Sequence, residues 1–144
     1  LDILYRQSIM DAAQHPHHYQ PVTKQDTYQV EKYNQSCGDI LAVGFETTDG
    51  LIQQLHFSGD GCAISQASAS MMTDLLIGKT VSEAKTLTML FFNMATGDAG
   101  QFDALGESRV LAGVTKFPSR IKCATLAWHA MADALVDVSV KEGD

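Results

Sequence analysis

Cysteine is scarce. The 144-residue chain has three, an odd number that rules out a fully paired set of intramolecular disulfides. Long apolar runs are missing too. The nearest, Met89-Leu90-Phe91-Phe92-Asn93-Met94, is broken by Asn93 and falls far short of the roughly 20 residues a membrane span needs. Positive charge is thin: Lys and Arg total 10 against 17 Asp and Glu, a net charge of −7. So acidic a chain lacks the positive footprint of a general nucleic-acid binder. Asp2 and Arg6 do not suit a signal peptide. With three unpaired thiols, the expectation is a reducing, cytoplasmic setting with no nucleic-acid or membrane partner.

What is present reads as one folded domain over residues 1–144. The sequence is 45% hydrophobic and 19% charged, and it shows no repeat or linker. Leu1 to Ala13 carries apolar residues at positions 1, 4, 5, 9 and 12, an amphipathic helix pattern ended by Pro16. The polar stretch that follows, to Lys32, reads as irregular or weakly extended. Ala63 to Ile77 forms a helix with Ile64, Ala67, Met71 and Leu75 inward and Gly78 as its stop. Thr80-Val81-Ser82-Glu83 has the form of a capping box. It opens a helix that continues through Leu90 to Met94. A turn or two follows over Glu107 to Ala112. Pro118 then starts a last helix reaching about Val136, with Ile121, Leu126 or Ala127, Ala130 and Ala134 inward. The tail after Val138 is expected to fray.

Asp49-Gly50 between Ile40–Thr47 and Leu51–Ser58 is a hairpin signal. A two-residue turn would set Leu41, Val43 and Phe45 against Ser58, His56 and Gln54. A three-residue loop with Gly50 as a bulge sets Leu41 against Phe57 and Val43 against Leu55, which gives a cleaner apolar face. The second register is the expected one. In either, Cys37 returns alongside Gly61 or Cys62.

The chemistry concentrates at Cys37-Gly38-Asp39, Cys62 and Cys123. Four donors from three separated segments suit a tetrahedral metal site. Asp39 is a harder, more exchangeable ligand than a thiolate, so such a site can release or swap a partner. Cys62 stands at a helix start, where the dipole favours negative charge. Three thiolates and a carboxylate around Zn²⁺ leave a formal charge of −2, costly away from water unless cations lie close. From Ser108 to Ala132 there is no acidic residue, and Arg109, Lys116, Arg120 and Lys122 all fall there. Arg120 and Lys122 oppose the dipole of the last helix, a conflict that a negative centre beside Cys123 would relieve. His15, His17 and His18 form a separate cluster on a polar segment without a cysteine, and a metal role for them is the minority reading. His56 is expected on the solvated face of the hairpin, and His129 as structural or solvated. Met71-Met72 and the Met89–Met94 region read as core.

Cys37-Gly38-Asp39, Gly59-Asp60-Gly61-Cys62-Ala63-Ile64-Ser65, Ala67-Ser68-Ala69-Ser70-Met71-Met72 and Phe117-Pro118-Ser119-Arg120-Ile121-Lys122-Cys123-Ala124-Thr125-Leu126-Ala127-Trp128 stand in the order of a known pattern. With Leu4-Tyr5-Arg6 near the start, the chain resembles the SufU branch of the IscU-like iron–sulfur cluster assembly superfamily over nearly its whole length. Lys122 stands where IscU proteins carry a histidine, and the Leu-Pro-Pro-Val-Lys chaperone motif of IscU is missing. The SufU pattern's Asn-Pro-Arg-Asn-x-Gly is reduced here to the proline of His15-Pro16-His17-His18-Tyr19-Gln20, and Gln35 replaces a proline near the first cysteine.

The resemblance implies an α+β fold with a three-stranded antiparallel sheet packed against several helices. It implies zinc held by Cys37, Asp39, Cys62 and Cys123, and a sulfurtransferase that accepts persulfide sulfur on Cys37 from a SufS-like cysteine desulfurase. A desulfurase histidine would replace Cys37 on the metal, Arg120 would help engage the enzyme, and Lys122 would add charge at the site. Downstream iron–sulfur assembly proteins would be further partners. The alternative is a scaffold on which a [2Fe–2S] cluster is built and passed on, since the same ligands suit both. A purely structural zinc domain gives Asp39 little reason to be there. A redox thiol protein would want a Cys-x-x-Cys pair, which the chain lacks.

Overall fold

The computed structural model describes residues 2–142, with side chains from Arg6 onward. Leu1 and the side chains of Leu4 and Tyr5, all assigned to the first helix above, lie outside the described residues. Helix α1 (Asp2–Gln14) is followed by strands β1 (Tyr28–Asn34), β2 (Asp39–Thr48) and β3 (Leu51–Asp60), then α2 (Ala63–Leu76) and α3 (Val81–Ala95). A 3₁₀ segment (Asp103–Lys116), kinked at Gly106, leads into α4 (Pro118–Glu142). The sheet is antiparallel in the order β1-β2-β3. The expected α+β fold is therefore the one observed, and no helix among the described residues is long and apolar enough to cross a membrane.

Several local expectations are corrected. Tyr28 to Lys32 belongs to a full strand, because Tyr28 and Asn34 bury themselves at its two ends while the residues between alternate weakly. The hairpin closes with a two-residue Asp49-Gly50 turn, both residues at positive φ, and Thr48 pairs with Leu51. The polar mismatch that argued against this turn is removed by a bulge. Gln54, at φ 55, is the extra residue, so Glu46 faces Gln53 but Gly44 faces His56, Val43 faces Phe57 and Leu41 faces Gly59. The tail does not fray at Val138. Tyr28 and Thr47 both donate to the Glu142 carboxylate, tying the last turn of α4 to the sheet. Burial and then the Glu142 hydrogen bond push the Tyr28 phenol up to about 12.

The bulge also moves His56 inward. Its Nδ1 lies 2.6 Å from the Gln54 carbonyl and its Nε2 3.1 Å from the Asp26 carboxylate, so it is buried rather than solvated. Glycine at position 44 makes room for this pair, since a Cβ there would lie 2.6 Å from the Asp26 carboxylate oxygen and would push it aside.

The core lies between the sheet and α4, α2 and α3. Leu41, Val43, Phe57, Met71, Met72, Phe91 and Trp128 are fully or almost fully buried there. Ile64 and Leu75, read as inward, are only half-buried, because Ser65, Ser68 and Ser70 take the inner face of α2. The Thr80–Glu83 capping box forms as read and starts α3. Trp128 stacks on Phe91 at 4.0 Å between centroids, and its indole N–H donates to Ser68 Oγ at 2.9 Å. Ser68 in turn donates to the Ala124 carbonyl at 2.5 Å. This chain of contacts fixes the start of α4 against α2, and so fixes where Cys123 sits.

Candidate metal centre

Three elements meet at one end of the sheet. β1 ends and β2 begins with Asn34 paired to Asp39, leaving Gln35-Ser36-Cys37-Gly38 as the connecting turn. Gly38 sits at φ 75, a conformation that favours glycine, and its N–H donates to the Asn34 carbonyl at 2.8 Å. β3 delivers Gly61 and Cys62, and Cys62 is the N-cap residue of α2. α4 delivers Cys123 from its second turn.

Ligand atoms of Cys37, Asp39 and Cys123 all lie within 4.8 Å of one another. The Cys37 and Cys123 sulfurs are 3.3 Å apart. Cys62 is the fourth of the residues read from sequence, and it joins through Asp39: its N–H donates to Asp39 Oδ1 at 3.1 Å. Its sulfur lies 3.4 Å from Ser65 Oγ, and it is not one of the three mutually close donors. Exposure divides the set. Cys37 and Cys62 are open to solvent, Cys123 is buried, and Asp39 is 4% exposed.

Burial would raise the Asp39 carboxyl, but hydrogen bonds from Ser65, Cys37, the Cys62 backbone and Cys123 outweigh it and hold the group below its ordinary value. The Cys123 thiol moves the other way. Burial, then the Cys37 and Cys62 side chains, push it well above the ordinary thiol range. Three thiols and a buried carboxylate thus crowd one another, and a divalent cation relieves that crowding. The donor set is also chemically apt, because thiolate and carboxylate are both established zinc ligands and a tetrahedral site with Zn–S near 2.3 Å holds sulfurs about 3.8 Å apart. The residues fit a metal.

Arg120 lies near this end, where sequence reasoning put it. It borders a cleft of about 400 Å³ with Arg6, Ile9, Met10, Cys62 and Ile64, and its guanidinium sits 4.8 Å above the Phe117 ring. Lys122 is exposed, and among the described residues it makes no salt bridge. Arg109, counted with them, is bound to Asp103 at 2.7 Å. The histidine cluster is separate from this end. His17 and His18 hold the two oxygens of Asp74 at 2.6 and 3.1 Å, a clasp between the α1–β1 connection and α2. His129 stacks on Phe92 at 4.5 Å, and burial followed by Lys32 lowers its pKa.

Two residues at the centre were missed. Asn34 points its amide N–H at the Cys37 sulfur, 3.0 Å away, and Ser65 donates to Asp39 Oδ2. Each had a signal: an asparagine just before a turn, and a serine in the first turn of a helix.

The NifU-like N terminal domain family matches residues 4–124. An iron-sulfur cluster assembly scaffold protein IscU of Streptococcus pyogenes serotype M1 is 40% identical over 99% of this chain and 95% of its own length. The zinc-dependent sulfurtransferase SufU of Bacillus subtilis is 40% identical over 91% of this chain and 88% of its own. A crystal structure described as a putative iron-sulfur cluster assembly scaffold protein for the SUF system, from Fervidobacterium islandicum AW-1, superposes with a TM-score of 0.85 at 32% identity, covering 92% of this chain and 97% of that one. The fold, the clustered donors and these likenesses agree, and the chain belongs to the IscU-like family built on the NifU-like N-terminal domain.

Proposed function

We propose that this protein serves iron–sulfur cluster assembly as a zinc-dependent sulfur relay, taking persulfide sulfur from a SufS-like cysteine desulfurase on Cys37. The observation that carries the reading is the pairing of an exposed Cys37 with a buried Cys123 and Asp39. One donor of the set can leave its neighbours without disturbing the core; the others cannot. Cys37, Asp39, Cys62 and Cys123 are the proposed ligands. Zinc, when bound there, would keep the thiols ionised without redox chemistry of its own.

The transfer itself needs only thiol chemistry. The Cys37 thiolate attacks the terminal sulfur of the enzyme persulfide, a new S–S bond forms, and the enzyme's cysteine leaves as a thiolate. The proton on the outer sulfur travels with it, and no external electrons are required. Arg120, at the rim of the cleft beside Cys62, and the exposed Lys122 supply positive charge that would balance the thiolates taking part in the transfer. The sulfur would pass to downstream iron–sulfur assembly proteins in the cytoplasm.

A second reading is supported by the same donors: a scaffold on which a [2Fe–2S] cluster is assembled and handed on; the Streptococcus pyogenes relative is named an iron-sulfur cluster assembly scaffold protein. Metal analysis with a visible absorption spectrum, on protein purified with and without oxygen, separates the two. One zinc per chain and a colourless solution is the expected result. A brown chromophore in the anaerobic sample would replace the sulfur relay by the scaffold.

A further inference from the structure

Asn34 closes β1 and is 8% exposed. Its side-chain oxygen accepts the Ser36 backbone N–H at 3.1 Å, which is an Asx turn. That bond decides which way the carboxamide faces. With the oxygen committed to Ser36, the amino end is turned toward the sulfurs, 3.0 Å from Cys37 and 4.0 Å from Cys123. The backbone is committed as well: Asn34 pairs with Asp39 across the strands and its carbonyl accepts the Gly38 N–H. Asn34 therefore holds both ends of the turn that carries Cys37. Among the described residues, no other nitrogen donor reaches the Cys37 sulfur.

From this we infer that Asn34 is a positioning residue for sulfur acceptance, keeping the Cys37 sulfur aimed at the site through an N–H···S hydrogen bond. The inference rests on the proposed role of Cys37 as acceptor. Cys37 sits on an exposed turn beside a flexible glycine, so its side chain has several directions open to it. A neutral amide donor selects one of them without adding a bond that must be broken chemically. An ionised carboxylate at this position would keep the turn and offer no donor to sulfur, and a serine hydroxyl would keep the turn with its O–H one bond shorter than the asparagine amide that reaches Cys37.

Asn34→Asp and Asn34→Ser make that separation, since both keep an acceptor for the Ser36 N–H and the neutral serine controls for the charge that aspartate adds. Two measurements are made. In the first, protein mixed with a cysteine desulfurase and free cysteine is alkylated and its peptides weighed. In the second, metal-free protein is treated with iodoacetamide, and the rate at Cys37 is compared with that at Cys62. In both variants sulfur uptake by Cys37 is expected to fall roughly tenfold, the worth of one hydrogen bond to a charged acceptor. Alkylation of Cys37 falls alongside it, with Cys62 and the melting temperature unchanged. Uptake at the wild-type rate in both variants overturns the inference. So does an equal loss of reactivity at Cys37 and Cys62 with a lowered melting temperature, which would make Asn34 a purely structural residue. If the wild type takes no sulfur on Cys37, the acceptor role is what fails, and the alkylation ratio still decides whether Asn34 positions that sulfur.

Discussion

Asp39 Oδ1 accepts the backbone N–H of Cys62 at 3.1 Å, while Oδ2 of the same carboxylate accepts the Ser65 hydroxyl. The first residue of β2 thereby caps the first turn of α2. Cys62, the N-cap residue, makes no side-chain cap of its own; the carboxylate from the neighbouring strand instead satisfies the Cys62 backbone N–H, one of those the helix start leaves unpaired. A donor of the proposed metal centre is thus also a structural pin. This explains why Asp39 stays ionised although it is buried.

Ser65→Ala removes a hydroxyl that is itself fully buried and that pins the buried Asp39 carboxylate. The carboxylate keeps its charge and loses a partner, a change that costs about 1 to 3 kcal/mol. A fall in melting temperature of several degrees is expected for the metal-free protein, with weaker zinc retention against a chelator. An unchanged melting temperature would show that the Cys62 N–H and the two thiols hold the carboxylate without Ser65.

Most of the fold was legible because its signals are local. Thr80 and Glu83 announce α3 by themselves, and Pro118 marks the start of α4. That Cys37, Asp39 and Cys123 would gather was legible because thiols are few and their chemistry is narrow. What escaped depends on partners distant in sequence. Tyr28–Lys32 carries too little apolar pattern to declare a strand, and only pairing with β2 makes it one. The hairpin register turned on Gln54 adopting positive φ, a conformation its side chain does not advertise. Asn34 and Ser65 are ordinary turn and helix-start residues until the fold brings Cys37, Cys123 and Asp39 against them.

The His17–Asp74 clasp gives the protein a predicted pH dependence. The hydrogen bond and then the charge of Asp74, opposed by slight desolvation and aided by Glu107 and Asp11, raise the His17 pKa above its ordinary value. A raised folded-state value means that the pair's stabilisation is full below the unfolded pKa of about 6.5 and is lost as the pH rises through the folded value. Both side chains are more than a third exposed, so the effect is held under about 1 kcal/mol by solvent screening. Urea midpoints of the wild type and Asp74→Asn should differ more near pH 5.5 than near pH 8.5, about a unit and two units to either side of the ordinary histidine value. A gap that widens toward alkaline pH would remove the clasp from the stability of this fold.

The last prediction concerns which cysteine carries sulfur. Cys123 is buried on α4, behind the contacts that Trp128 and Ser68 make with one another, and displacing it would disturb the core. Cys62 is exposed, but its backbone is bound to Asp39 and starts α2, so the chain around it is fixed from both sides. Cys37 is exposed and stands beside Gly38, on a turn anchored only at Asn34. Of the three thiols it alone combines access with room to move. After mixing with a cysteine desulfurase and free cysteine, the added sulfur is expected on the Cys37 peptide, and Cys37→Ser should remove it without shifting it to another cysteine. Alkylated peptides weighed by mass spectrometry decide the matter. Sulfur found chiefly on the Cys62 or Cys123 peptide would reassign the acceptor and with it the direction from which the desulfurase must approach.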